Sequence, residues 1–253
     1  MTEADFLSGY DASAYEHPSV TVDLVLLGIR EGRPAVLLQP REEEPFPGRW
    51  ALPGGFVGIA ESLDDAAQRV LHDKARLDDA HLEQLYTFGA VDRDPRTRVI
   101  TVAWLALLDE RAFAAALVAN PALRPVAIQA DWTGETGGPI TALGPGGAAI
   151  DLAFDHGQIL AMALLRLRGK IDYSDVGFAL LPDLFTLRQL QDVHEAIGGT
   201  AFNKPAFRRR MLDRGWLAPT GLREQGTSFR PAELYRFQRA GRPNTRSLHP
   251  LIG

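Results

Sequence analysis

The chain has 253 residues, 45% hydrophobic and 23% charged, the composition of an ordinary globular protein and enough for one large domain or two smaller ones. It has no cysteine, which excludes disulfides and thiolate metal sites, and no apolar run approaches a membrane span. The formal net charge of −5 hides a division, because from Asn203 onward eleven basic residues face only Asp213, Glu224 and Glu233, a balance of +8 that leaves −13 on the first 202 residues. An acidic body with a basic end points either to contact with a polyanion or to a solvated charged surface. The acidic start lacks a signal-peptide core, so a cytoplasmic protein with no membrane partner is expected.

Residues 1–18 read as a loose arm. "SVTVDLVLLGI" and "RPAVLLQP", rich in β-branched and aliphatic residues and broken at "REG", predict a β-hairpin. "WALPGG" predicts a strand and turn, and Glu61 to about Arg76 a helix capped by Ser62, with Asp64 and Asp65 at the positive end of its dipole. Leu63, Ala66, Ala67, Val70, Leu71 and Ala75 give that helix one buried face. "LEQLYTFGAV", "RVITVAWLALL" and "RPVAIQADWTG" read as strands, and the glycine-rich stretch Thr133–Ile150 as an exposed excursion. "FDHGQILAMALLRLRGK" is a helix ending near Gly169.

A proline break then marks a boundary near residue 182. Beyond it, Leu187, Leu190, Val193 and Ile197 line one face of a helix stopped by Gly198 and Gly199. "NKPAFRRRMLDRGWL" predicts a second helix with Asn203 as cap, followed by two strands around a glycine-marked loop. Helix, turn, basic helix and hairpin is the layout of a winged helix-turn-helix. On a helical wheel Phe207, Met211 and Leu212 fall on the buried side, with Ala206, Arg209, Arg210 and Asp213 opposite. The expectation is that Lys204, Arg209 and Arg210 face the major groove beside Asn203, while Arg208 and Arg230 hold phosphates. His194 and Glu195 are adjacent on a helix and do not converge on one ion, so His194 reads as a surface or interface residue. His156 reads as structural, with the alternative that the Asp155–His156 pair caps a helix beside a ligand pocket.

The stretch Gly55–Leu77 resembles the Nudix box, G-x5-E-x7-R-E-U-x-E-E-x-G-U. Gly55, Glu61, Arg69, Leu71 and Leu77 are in register, but the box's glutamates are replaced by Val70, Asp73 and Lys74, and its late glycine by Arg76. Magnesium needs oxygen ligands in near-octahedral array. Val70 removes one ligand, and at about 4 Å the like charge of Lys74 costs a cation site on the order of 4 kcal/mol per charge. Hydrolysis is therefore not expected, and binding is. Gly54 and Gly55 allow close approach of a ligand; Arg41, Arg49, Arg93, Arg96 and Arg98 suit phosphates; Phe46, Trp50 and Phe56 suit a purine, though Trp50 and Phe56 serve equally well as core. Glu61 completes the set.

The order of "HPSVTVDLVLL", "PFPGRWALPGGFV", "DRDPRTRVITVAWLALL", "FDHGQIL", "LRGKIDYSDVGFALLP", "FTLRQLQDVHEAI", "NKPAFRRRML" and "GTSFRPAELYRF" resembles the NrtR-type Nudix-related transcriptional regulators. The resemblance implies an α+β chain: a Nudix-like α/β/α sandwich with a mixed sheet over residues 1–156, connecting helices over 157–182, and a winged helix over 183–253. It further implies a homodimeric repressor of NAD-metabolism genes, with double-stranded operator DNA as partner and ADP-ribose or a related nucleotide as effector, and no required cofactor. Thr133–Ile150 departs from the compact family pattern. Two alternatives stay open: a hydrolase of ADP-ribose-like substrates using Glu61 and Asp73, and a module whose basic end docks RNA or an acidic protein.

Overall fold

The structure, a computed structural model, describes residues 2–78, 80, 82–225 and 231–238. Helix α1 (Glu3–Gly9) carries a capping box from Thr2 and buries none of its residues, so part of the expected loose arm is a helix without tertiary packing. Strands β1 (Ser19–Arg30) and β2 (Arg33–Pro40) form the predicted hairpin, with Leu27 opposite Val36 and Arg30 opposite Arg33. The short strands β3 (Trp50–Ala51) and β4 (Gly54–Phe56) pair with β2 and β1. Helix α2 (Leu63–Ala75) starts where Ser62 accepts the Asp65 N–H, and it ends on Arg76 at φ +55°. That left-handed position suits glycine, the residue the Nudix pattern has there, and an arginine tolerates it less well.

Strands β5 (Leu82–Phe88), β6 (Val99–Leu107), β7 (Arg124–Gln129) and β8 (Thr141–Leu143) complete a mixed sheet of order β5-β6-β1-β2-β7-β8, in which β1 and β6 are parallel. Two elements depart from the sequence reading. Residues 110–119, given no assignment there, form helix α3 (Glu110–Ala119), capped by the Asp109 carboxylate and burying Phe113 and Ala116. Within the glycine-rich stretch, most residues are exposed as expected, but β8 pairs with β7 and Gly137 lies against Leu165, so the segment is anchored to the fold.

The sheet alternates with period two, and each face takes its own helices. Val22, Leu24, Leu26, Leu37 and Trp104 pack with α2 and α3, while Val25, Leu27, Val36, Leu38 and Leu105 pack on helix α4 (His156–Ile171). This is a three-layer α/β/α arrangement. Helix α4 runs two residues past its expected end. On its far side, α5 (Leu187–Gly198), α6 (Lys204–Asp213) and the two-stranded sheet of β9 (Leu217–Arg223) and β10 (Glu233–Phe237) make the winged-helix layout. Leu190, Val193, Ile197, Phe207, Met211 and Tyr235 of this unit belong to the same apolar cluster as Ile159, Leu164 and Leu167 of α4. The two halves thus share a core, and α4 is the layer between them.

Candidate functional site

The loop after β2 closes through Arg41, whose guanidinium donates to the carbonyls of Glu43, Glu44 and Pro45, at 2.8 Å for Pro45. Its charge stands 5.0 Å from the centre of the Phe154 ring, Arg96 stands at 5.9 Å from the same ring, and Arg49 at 5.0 Å from Phe46. The two rings meet edge to face at 5.1 Å. Phe46 (φ +66°) and Phe154 (φ +52°) both hold left-handed backbone, which is unfavourable for a bulky side chain and persists only where surroundings impose it. Three guanidiniums thus stand over two aromatic rings held in left-handed backbone, with Arg96 also paired to Asp94.

Beneath this surface lies a buried ion cluster. Arg93 grips Asp155 through two bonds, of 2.7 and 2.9 Å, and reaches Asp23 at 3.4 Å. His156 accepts the Leu52 N–H at Nδ1 (3.0 Å), which places its ring proton on Nε2, 3.9 Å from Asp23. Burial pushes the His156 pKa down, against the pull of Asp23 and Asp155, so the ring is neutral at ordinary pH. The Arg96 guanidinium holds the Asp94 carboxyl below the usual carboxylate range. Gly54 is required here, because a Cβ would meet the Asp23 carboxylate and stand 2.9 Å from the Val22 carbonyl.

Of the sequence candidates, Arg41, Phe46, Arg49 and Arg96 converge on this surface, while Gly54 and Arg93 lie beneath it; Arg93, expected to suit a phosphate, is buried and gives its guanidinium to Asp155 and Asp23 instead. Trp50 joins through its backbone, which donates to Asp151 and accepts from Ala153. Arg98 instead ties the carbonyls of Gly89 and Ala90, closing the β5–β6 turn. Phe56 (52% exposed) and Glu61 belong to a second group at the start of α2. There Arg69 donates to both Glu61 carboxylate oxygens (2.6 and 3.0 Å) and to the Phe56 carbonyl, and the Gly58 N–H adds a further bond. The Arg69 bonds, with that N–H, pull the Glu61 pKa down to about 2. Val70 is 2% exposed, and a Cβ on Gly55 would stand 3.1 Å from its Cγ2. The residues therefore do not fit a Nudix metal centre: one carboxylate is spent on an arginine, and the position of another is sealed by an aliphatic side chain. Among the described residues no group of three His, Asp or Glu side chains is placed to hold a metal ion.

Phe154 and Asp23 escaped the sequence reading as ligand-side residues, whereas Asp155 starts α4 beside the site as expected but gives its carboxylate to Arg93 and makes no side-chain cap bond. Phe154 follows a glycine-rich stretch and follows no period, and Asp23 sits in an otherwise apolar strand; that lone buried-strand carboxylate was the one signal available.

At the other end, Asn203 caps α6 by accepting the Ala206 N–H (3.1 Å). Lys204, Arg208 and Arg209 are exposed. Arg210, expected to face the groove, turns inward instead. It lies over Phe202 (5.2 Å) and Phe207 (5.4 Å) and reaches the Asp172 carboxylate at 3.3 Å. Leu212 takes the solvent side, so the buried face is centred on Phe207 and Met211. The wheel failed by about one position because cation–π contact rewards burying a guanidinium's flat face. Arg230, expected to hold phosphates, lies outside the described residues.

His194 is another correction: it is 2% exposed, edge-on to Phe207 at 5.1 Å, under the basic helix. Burial lowers its pKa to about 4, against Asp172 and with Arg210 and Arg214 adding to the depression. A histidine depressed from about 6.5 contributes stability that is complete above pH 6.5 and is lost between pH 6.5 and 4, because only the unfolded chain takes up the proton there. Chemical denaturation of the parent and of His194→Leu across pH 4–8 should show their stability difference changing by roughly 3 kcal/mol in that window. A difference independent of pH would refute the assignment.

Residues 177–237 match the NrtR DNA-binding winged helix domain, and residues 17–121 the NUDIX domain. The chain is 35% identical over 238 residues, 93% of its length and 88% of the relative's, to the ADPR responsive transcriptional repressor NtrR of Acinetobacter baylyi. Its fold matches Shewanella oneidensis NrtR crystallised with a 27mer DNA, with a TM-score of 0.70 and 32% identity, covering 87% of this chain and 93% of that one. An ADP-ribose pyrophosphatase of Methanocaldococcus jannaschii is 37% identical over 91 residues, 36% of this chain and 52% of that protein. An α/β/α sandwich with an altered Nudix box, carrying a basic winged helix on a shared core, places the chain in the NrtR family of Nudix-related transcriptional regulators.

Proposed function

We propose that this regulator is a cytoplasmic, homodimeric repressor that reads operator DNA through α6 and is released or retained by ADP-ribose or a closely related NAD metabolite. The observation that carries the reading is the placement of Arg41, Arg49 and Arg96 around Phe46 and Phe154, where a nucleoside diphosphate meets guanidinium cations and aromatic faces at once. The Acinetobacter relative's response to ADPR supports the same ligand. The ligand shifts DNA affinity only through unequal affinity for two arrangements of the protein. Catalysis is not proposed: Glu61 is held by Arg69, and Val70 fills a ligand position. No cofactor is required in this reading, and NAD-metabolism genes are the proposed targets.

Calorimetry with ADP-ribose, with magnesium and with chelator, tests it. Saturable binding with equal affinity in both conditions is expected, and the nucleotide should be recovered intact by chromatography. Arg41→Ala and Arg96→Ala should each weaken binding about 10–100-fold, the worth of one charge-assisted hydrogen bond. Release of AMP at enzyme-like rates would overturn the reading in favour of a hydrolase.

A further inference from the structure

Helix α4 starts at the ligand-side ion cluster and ends against the winged helix. From His156 to Arg168 it spans about 18 Å at the helical rise of 1.5 Å per residue. Its cations divide by face. Lys170 pairs with Glu83, and Arg166 donates to the Leu85 carbonyl (3.0 Å), so this side is fixed to β5 of the sheet. Arg168, roughly 200° round from Arg166 at 100° per residue, points the other way.

Arg168 is 9% exposed, and the bonds on its guanidinium run to backbone carbonyls. Its Nε donates to the Ile197 carbonyl (2.9 Å) in the last turn of α5, it donates also to the Trp132 carbonyl, and it lies 4.3 Å over the Trp132 ring. The last carbonyls of a helix lack partners within it and carry partial negative charge, so Arg168 caps α5 from a different element. The fit is close: Gly199 has φ +69°, and a Cβ there would stand 3.0 Å from the Arg168 guanidinium. From within α5, Glu195 accepts the Phe202 N–H (2.9 Å) and Gln191 donates to the Phe202 carbonyl (3.1 Å), which fixes the turn into α6.

We propose that Arg168 is a positioning residue for the effector response. By clamping the end of α5 to α4 and Trp132, it sets the recognition helix relative to the ligand site. Movement of α4 at its Asp155 end therefore reaches α6 through this contact. The role rests on the functional reading above for its ligand, and the test separates the two.

The experiment uses the full chain, ADP-ribose as probe, and a duplex selected from random DNA by the parent protein. For Arg168→Met, ADP-ribose affinity should stay within about threefold by calorimetry, while the ratio of DNA dissociation constants with and without ADP-ribose falls at least about fivefold toward unity. Arg168→Lys keeps charge but loses the flat fork, and should give an intermediate ratio. Trp132→Leu should shift the ratio the same way and serves if Arg168→Met does not fold. DNA binding weakened equally with and without ligand, the ratio intact, overturns the proposal. A second readout does not depend on the ligand. The chain has no cysteine, so spin labels at Val118→Cys on α3, 83% exposed, and Asp213→Cys on α6 report one distance, with labelled chain diluted in unlabelled. The parent should give a narrow distribution and Arg168→Met a broadened or displaced one; an unchanged distribution overturns the proposal. If ADP-ribose leaves the parent's DNA affinity unmoved, the functional reading fails and the distance alone decides the role of Arg168.

Discussion

Replacing Lys204 and Arg209 together with alanine should lower affinity for a selected duplex by about 10²–10⁴-fold at fixed salt, with a shallower salt dependence. Both side chains are exposed on the first turns of α6, and Asn203 anchors the start of that helix. An arginine bidentate to a base contributes about 1–3 kcal/mol of discrimination, and each lost phosphate contact reduces the logarithmic salt slope by about 0.9. In the proposed symmetric dimer both losses count twice. Arg210 supplies the contrast. Arg210→Met keeps the apolar stem on Phe202 and Phe207, so DNA affinity should change less than about threefold, within the effect of a residue that makes no groove contact. Fluorescence anisotropy titrations at three salt concentrations measure all of this. If Arg210→Met cost as much as the Lys204 and Arg209 pair, the inward placement of Arg210 would be wrong.

The largest stability effect is expected at Arg93. Its side chain is 4% exposed and answers two carboxylates, Asp155 at 9% and Asp23 at 10%. Arg93→Met leaves both buried without their cation, and breaking a buried pair from one side costs about 3–5 kcal/mol. For a chain of this length that corresponds to a melting temperature lower by about 6–10 °C. Adding Asp155→Asn to Arg93→Met should recover part of the loss, because one orphaned charge is gone. Scanning calorimetry of the parent, the single and the double variant checks the set; no recovery would mean that Arg93 acts through packing alone. The cluster also starts α4, so the same variants should weaken ADP-ribose binding by a measurable factor.

Local chemistry written into consecutive residues was readable in advance. The hairpin followed from β-branched runs around a turn, α2 from its Ser62 cap and three-and-four spacing, and α5 from four apolar positions ending in two glycines. Helix α3 was missed because its alanine-rich face gives a weak period between two strands, although Asp109 supplies a clear cap. That Val70 and Lys74 stand where the Nudix pattern has glutamate needs only a position in a pattern.

Partners distant in the chain were not legible. Phe154 joins Phe46 across more than a hundred residues, and Arg93 meets Asp155 across 62. The wheel placed Arg210 outside, and only Phe202 and Asp172, brought beside it by the turn after α5 and the end of α4, drew it in. His194, read as a surface or interface residue, is buried once the shared core closes over it. Sequence determines where the backbone can bend, cap and bury a face, because those free energies depend on neighbours three or four residues away. Which charges meet, and which helix end a buried arginine caps, depends on how the layers stack, so the tertiary structure alone decided the ion cluster and the seam at Arg168.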